Sequence, residues 1–282
     1  MDTTCLDYCL TDDEREAFEK DGFFAVEDAL PPQLVEGLKV IVERLDTKYR
    51  AERGLEPHAP LNLLDFVGKD ERFLELLDWP KTFPKVWGIL GWNVQLYHSH
   101  LIVTHPRPAD EPREQKRLGW HQDSGRLNFE LEGNPRPRVS LKIGFFLSDT
   151  SVPGRGNFSV IPGSHLRNKL EFPPDGISNP EGARPICVPP GAAVFFDRRL
   201  WHSASPNYSD ITRMVLFYGY SYRWLRPRDN MTVEHFMDKC DPVRKQLLGA
   251  STGGMGYTSP GDEDAPLRPW LREHLGESAV TP

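Results

Sequence analysis

The chain has 282 residues, 38% of them apolar and 27% charged, a balance that allows a sizeable core in an ordinary water-compatible protein. A formal charge of −7 argues against non-specific DNA or RNA binding, which rests on basic surface, and no apolar run reaches the length of a membrane span. Gly and Pro, at 23 and 26 residues, favour many turns over a bundle of long helices.

The opening MDTTCLDYCLTDDERE is acidic and lacks the cationic-then-apolar order of a secretory signal. The final SAVTP is not a peroxisomal address, so a cytoplasmic location is expected. Cys5, Cys9, Cys187 and Cys240 are scattered with no C-x-x-C, and reduced thiols are expected rather than a zinc site. Thr11 and Glu14 have the spacing of a capping box and start a helix. DGFFAVEDAL then reads as a strand or a turn into the core. Pro31 and Pro32 open a second helix, in which Leu34, Val35, Leu38, Ile41, Val42 and Leu45 recur at the spacing of one buried face. Short helices are predicted over 70–78 and 81–90, interrupted at Trp79-Pro80.

From Asn93 the character changes. NVQLYHSHLIVTHP, RVSLKIGFFLSD, GNFSVIPGSH, RPICVPPGAAVFFDRRLWHS and RMVLFYGYSYRW are rich in β-branched and aromatic residues, with Gly and Pro between them. They predict two packed antiparallel sheets, a sandwich or jelly roll. A helix near 231–247 and a mobile loop, STGGMGYTSPGDEDAP, follow. The expected organisation is a single domain: a helical buttress over about 10–91, a β-core over about 93–225, and a C-terminal helix and loop over about 226–282.

GWHQDSG places His121 and Asp123 two residues apart. On a strand they share a face, so an imidazole and a carboxylate can take adjacent corners of a metal's coordination sphere. The plainer alternative is a strand end with incidental polar residues. His202 follows the apolar AAVFFD; a turn, SASPNYSD, leads to a strand near Arg213. This predicts a hairpin with His202 on one strand and Arg213 near the start of its partner. Two His and one carboxylate make the site of non-haem Fe(II) oxygenases. Arg suits a bidentate grip on a carboxylate, so a 2-oxo acid with a second carboxylate further out fits the set. Singly, His202 reads as a core histidine and Arg213 as a surface cation. Their joint occurrence in this order points to the metal site.

In that order His121-x-Asp123, His202 and Arg213 resemble the phytanoyl-CoA dioxygenase family of Fe(II)- and 2-oxoglutarate-dependent oxygenases. GNFSVIPGSH is similar to the family's N-G-x-x-x-x-x-P-G-S-H segment, with Gly156 and Asn157 in reversed order. DGFFAVEDAL resembles its N-terminal stretch. The likeness covers about residues 10–225. It implies a mainly β fold with flanking helices, a double-stranded β-helix (a cupin-like jelly roll) with the N-terminal helices packed on one sheet. It implies that His121, Asp123 and His202 bind Fe(II). 2-Oxoglutarate would chelate the iron and place its far carboxylate on Arg213, with O2 in the last position. Turnover would release succinate and CO2 and hydroxylate a small-molecule or acyl substrate.

His100 sits where the family strand approaches 2-oxoglutarate, and is either a donor to its chelating end or a polar residue packed in the sheet. His98 on the same face is the weaker candidate. Relatives often carry a Ser two residues after the distal His; here that place is Ala204, between Ser203 and Ser205. Lys142 either meets an anionic substrate or, as the preferred reading, snorkels to solvent. Trp120 reads as core packing and His165 as a turn group. His58, His105, His235 and His274 read as surface residues, and 107–117 as a solvated loop whose Arg113, Lys116 or Arg117 would meet a phosphate if it folded over the mouth. Arg126, close behind the first two ligands, is the candidate substrate contact. Asp123 stands against radical halogenation, which needs an open position there. Desaturation or ring closure on the same triad remains open, as does a cupin-like metal enzyme without a 2-oxo acid; Arg213 is the feature against the latter. A non-enzymatic β-sandwich would leave the three ligands together without purpose. The expected partner is a small molecule, with no nucleic acid and no membrane.

Overall fold

After a short 3-10 turn, Thr3–Tyr8, the first α-helix begins behind Thr11, as its capping signal predicts. A computed structural model describes residues 1–113, 116–258 and 260–281. The Thr11 hydroxyl accepts from the Glu14 N–H at 3.2 Å, and the Glu14 carboxylate accepts from the Thr11 N–H at 3.0 Å, closing the box on α1 (Asp12–Asp21). Gly22, at φ 83°, ends the helix in the left-handed region open to glycine and turns the chain into β1 (Phe23–Val26). Next comes α2 (Pro32–Arg53), which buries Leu34, Val35, Leu38, Val42 and Leu45. Each such side chain contributes about 1.5–3 kcal/mol on burial. A short strand, β2 (Leu61–Leu64), was not anticipated; four residues are too few for a periodic signal. The helix predicted over 70–78 forms as a 3-10 turn, Glu71–Leu76, and its neighbour as α3 (Phe83–Leu90).

The strand-rich block gives β3 (Val94–Thr104), a short helix α4 (Gly125–Glu130), and β4 (Ser140–Phe146). β5 (Phe158–Val160), β6 (Arg184–Pro185), β7 (Ala193–Asp197), β8 (His202–Ala204) and β9 (Arg213–Tyr222) follow. Two sheets result. The larger runs β1-β7-β4-β9-β3-β2 and the smaller β6-β5-β8, with all pairings antiparallel. This is the expected jelly roll. Period-2 alternation divides the larger sheet's side chains. Leu141, Ile143, Phe145, Leu216, Tyr218 and Tyr220 join the core formed with the helices. The Tyr218 and Tyr220 hydroxyls donate to the carbonyls of Phe73 and Leu77 at 2.8 and 2.7 Å, tying the helical layer down. On the inner face Phe146, Phe196, Val215 and Phe217 meet Phe158 and Val160 of the smaller sheet.

Two expectations need correction. His202 and Arg213 are not hairpin partners: His202 pairs with Val160 in the smaller sheet, and Arg213 with Thr104 in the larger. The connection between them crosses from one sheet to the other, so the two residues stand on opposite sheets instead of along one ribbon. The tail is also more ordered than predicted. The helix placed at 231–247 divides into a 3-10 turn, Glu234–Lys239, and α5 (Pro242–Leu247), where Asp241 caps the Arg244 N–H at 2.9 Å. The supposed mobile loop is pinned by Asp264, whose carboxylate takes both Arg223 Nη1 and Nη2, at 2.9 and 3.1 Å. α6 (Leu267–Leu275) then packs Leu267 and Leu271 into the core. Among the described residues no helix is long and apolar enough to cross a membrane.

Candidate active site

His121 and Asp123 do not lie on a regular strand. His121 makes one isolated antiparallel bridge to His202, with paired N–H···O bonds of 3.0 and 2.9 Å. The Asp123 N–H donates to the Arg198 carbonyl at 2.9 Å. Ser124, at φ 60°, then turns the chain into α4. The shared facing of the two ligands therefore comes from docking against the edge of the smaller sheet, not from strand periodicity.

The docking brings one ligand atom from each of His121, Asp123 and His202 within 4.8 Å of one another. Both imidazoles are oriented through Nδ1, which lies 2.9 Å from the Gly119 carbonyl in His121 and 2.8 Å from the Leu200 carbonyl in His202. A carbonyl only accepts, so each Nδ1 carries the proton and each Nε2 keeps its lone pair for a metal. Phe158 and Phe196 pack against the His202 ring at centroid distances of 5.3 and 5.2 Å. Burial pushes His202 down to about 4, against the pull of the Asp123 charge, which keeps the ring neutral. Burial works to raise Asp123, but the Lys142 ammonium beside it outweighs that and holds its carboxyl well below the usual range. Asp123 Oδ2 is buried without a hydrogen-bond partner. The Lys142 ammonium, 2.9 Å away, makes an ion pair but misses hydrogen-bond alignment. Two neutral nitrogens and an ionised oxygen with spare lone pairs form a donor set that fits a divalent cation.

Lys142 thus departs from the preferred expectation. It is 5% exposed and points inward from β4, because alternation assigns it to the face of Phe146. Arg213 also lies inward, 2% exposed. Its Nε and Nη1 have no hydrogen-bond partner among the described residues, and its Cζ lies 5.7 Å from the Phe146 ring centre. Burial pushes its pKa down to about 10. Gly156 makes room for it: a Cβ there would come within 2.9 Å of Arg213 Cδ.

Two of the cavities along the segment 118–123 hold the candidate site residues. One, of about 400 Å³, is lined by Arg213, Ile102, Thr104, Ala204 and Ser205. The Ser205 hydroxyl is buried and unpartnered, one residue beyond the position where relatives carry serine. His58 and His105, expected as ordinary surface residues, line this cavity, as do Lys116 and Arg117. His105 Nε2 meets Asp46 at 2.7 Å. Arg117 donates to the Ser178 carbonyl at 2.8 Å and stacks on Phe172, so it is engaged in holding the loop. The other cavity, of about 550 Å³, is lined by His121, Asp123, His100, Arg126 and Lys142, among others. His100 Nε2 lies 3.0 Å from Asn62 Oδ1. Arg126 is mostly exposed and pairs with Glu130 at 2.7 Å. Trp120 and His165 stay outside the ligand set: the Trp120 indole donates to Asn179 at 2.9 Å, and His165 Nε2 lies 3.0 Å from the Glu19 carbonyl.

Sequence reading missed the residues that stiffen this arrangement. Asn128 donates to the Asp123 carbonyl at 2.8 Å and takes the buried Arg198 guanidinium. Nothing local in the sequence distinguishes Arg198 from a surface arginine; only its burial does.

A family model described as phytanoyl-CoA dioxygenase (PhyH) matches residues 18–215. A curated relative, dioxygenase af480 of Aspergillus fumigatus, is 33% identical over 106 residues, covering 36% of this chain. The match spans 33% of that relative's length. Among solved structures, HygX from Streptomyces hygroscopicus with nickel and 2-oxoglutarate bound superposes with a TM-score of 0.57 at 17% identity, covering 78% of this chain and 90% of its own. EctD from S. alaskensis gives 0.58 at 20%, covering 77% and 80%. The nickel complex of the non-heme monooxygenase ThoJ gives 0.56 at 20%, covering 76% and 79%. At these identities the three establish the fold alone.

Proposed function

The chain belongs to the phytanoyl-CoA dioxygenase family, and on that premise we propose that it is an Fe(II)- and 2-oxoglutarate-dependent oxygenase that hydroxylates a small molecule. One observation carries the reading. Three ligand atoms converge within 4.8 Å, and the buried Arg213 guanidinium in the neighbouring cavity has no anionic partner among the described residues.

His121, Asp123 and His202 hold the metal. Bound together, iron, 2-oxoglutarate and O2 supply the oxidising chemistry, with succinate and CO2 as by-products. The chain's own residues aim it. The Gly119 and Leu200 carbonyls keep both Nε2 atoms unprotonated and turned inward. The Asp123 carboxylate stays ionised because the Lys142 ammonium lies 2.9 Å from it. Arg213 grips the far carboxylate of the co-substrate with donors that have no partner among the described residues, and the Ser205 hydroxyl beside it donates to the same carboxylate. His100, on the wall of the metal-side cavity, stands beside the chelating end. The Phe146, Phe158, Phe196 and Phe217 cluster closes the barrel below the ligands and keeps water from that side.

The test is an anaerobic titration with Fe(II) followed by 2-oxoglutarate, watched for the visible charge-transfer band of the chelate, and then succinate release on admitting O2. A band that forms in the parent protein and is lost in His202→Ala supports the assignment. A parent protein that binds Fe(II) but forms no band with 2-oxoglutarate refutes it.

A further inference from the structure

We propose that the substrate carries an anionic group, a carboxylate or a phosphate ester, which seats on Arg228 in the metal-side cavity. This rests on the reading above in one respect: Arg213 is committed to the co-substrate in the other cavity, so the cations here are left for a second anion.

The cavity that opens on His121 and Asp123 is lined by Arg126, Lys142, Arg226 and Arg228, with Asp123 its sole lining carboxylate among the described residues. In a chain of net charge −7, this is a local reversal of sign. Two of the four cations are matched: Arg126 by Glu130 and Lys142 by Asp123. No carboxylate among the described residues pairs with Arg226 or Arg228.

Arg228 is also held in place by a buried device with no part in metal or co-substrate binding. The segment after β9 folds back over the cavity, and the Arg228 N–H donates to the Tyr97 carbonyl at 2.8 Å. Next to it, Asp229 is driven inward until its side chain is fully buried. Its carboxylate meets His98 Nδ1 at 2.8 Å and takes the Ser99 N–H and hydroxyl at 2.5 and 3.1 Å. Burial keeps the His98 pKa below its ordinary value, so the ring is neutral with its proton on Nδ1. Its Nε2 then accepts from Arg228 Nη1 at 3.0 Å. The Asp229–His98 pair therefore aims the guanidinium, and because no carboxylate among the described residues pairs with it directly, its remaining donors are free to take an anion at the open side of the cavity. Leu127, Leu225 and the Tyr97 ring line the same space and suit an apolar body behind the charged end.

The test uses the full chain loaded with Ni(II) and saturated with 2-oxoglutarate, so that Arg213 is occupied. Octanoate, octyl phosphate and octan-1-ol are then titrated by calorimetry. At least one anion should bind ten-fold or more tightly than the alcohol, and the tighter of the two identifies the group. Arg228→Gln should weaken that anion about ten-fold and leave the alcohol and 2-oxoglutarate unchanged. Asp229→Asn, which loosens the aim but keeps Arg228, should give a smaller loss in the same direction. Alcohol binding as tight as the anions, or anion affinity that is unmoved in Arg228→Gln, overturns the proposal while leaving the co-substrate reading intact. If 2-oxoglutarate itself fails to saturate the Ni(II) protein, the co-substrate reading fails and takes this inference with it.

Discussion

Replacing Arg213 with methionine should stabilise the ligand-free protein while abolishing its grip on 2-oxoglutarate. Burial moves the Arg213 pKa from 12.5 to about 10, and at about 1.4 kcal/mol per unit that is ~3 kcal/mol of strain on the charged form. The contact with the Phe146 ring returns about 1 kcal/mol, leaving a net cost of ~2 kcal/mol in the free protein. Methionine fills the space of the arginine stem and carries no charge. At roughly 2–4 °C per kcal/mol for a chain approaching this size, the metal-free variant should melt several degrees above the parent. Loss of a charge-assisted, two-pronged contact costs about 3 kcal/mol or more, so 2-oxoglutarate affinity should fall by at least ~100-fold with Ni(II) affinity unchanged. Thermal melts with and without 2-oxoglutarate, and calorimetry on the Ni(II) form, measure both effects. A variant that melts lower than the parent, or still binds 2-oxoglutarate normally, refutes the argument that Arg213 is a cation waiting for an anion.

Asp123→Ala should lower Ni(II) affinity beyond the roughly 10–100-fold that accompanies loss of a ligand's supporting partner. It should also destabilise the free protein by about 3 kcal/mol, because Lys142 is left buried without its ion pair. Adding Lys142→Met should restore the melting temperature but not the metal; parent-like Ni(II) binding in either variant would remove Asp123 from the ligand set. Gly156→Ala places a Cβ 2.9 Å from Arg213 Cδ at φ +69°, so the KM for 2-oxoglutarate should rise about ten-fold while Ni(II) affinity holds, and an unchanged KM argues that Arg213 has another station. Burial holds His98 below its ordinary value and His100 at about 3. Between pH 6.5 and 5 the unfolded chain therefore takes up protons that the folded one refuses, and metal-free stability should fall with pH by up to about 1.4 kcal/mol per unit for each ring. Melting temperatures that stay flat over that range would show that these rings are free to protonate.

The sequence carried the local chemistry of the site in legible form. GWHQDSG supplied the two ligand types at a short spacing, and His202 and Arg213 followed in an order that matched a known family. The stated reason for the H-x-D geometry was nevertheless wrong. Strand alternation predicted that His121 and Asp123 share a face, whereas a single bridge to His202 and a turn at Ser124 bring them together. The Asn128–Arg198 contact and the Asp229–His98 pair were not legible, because each joins partners far apart along the chain; Asp229 and His98 are separated by 131 residues.

What the sequence determined by itself was whatever depends on neighbours within a turn or a strand: the capping box at Thr11, the buried stripe of α2, the alternation along β4 and β9, and the identity of the metal-binding atoms. Those signals arise from periodicities of 3.6 and 2 and from short-range hydrogen bonding. The tertiary structure alone decided which sheet each site residue joins, and so that His202 and Arg213 stand on opposite sheets. It alone decided that Lys142 turns in to Asp123 and does not reach solvent. It alone left Arg213 buried without a partner among the described residues and aimed the exposed Arg228 through His98. Desolvation is the reason for the first: folding has removed water from the Arg213 charge without supplying a counter-ion among the described residues, and that depends on every element packed around it.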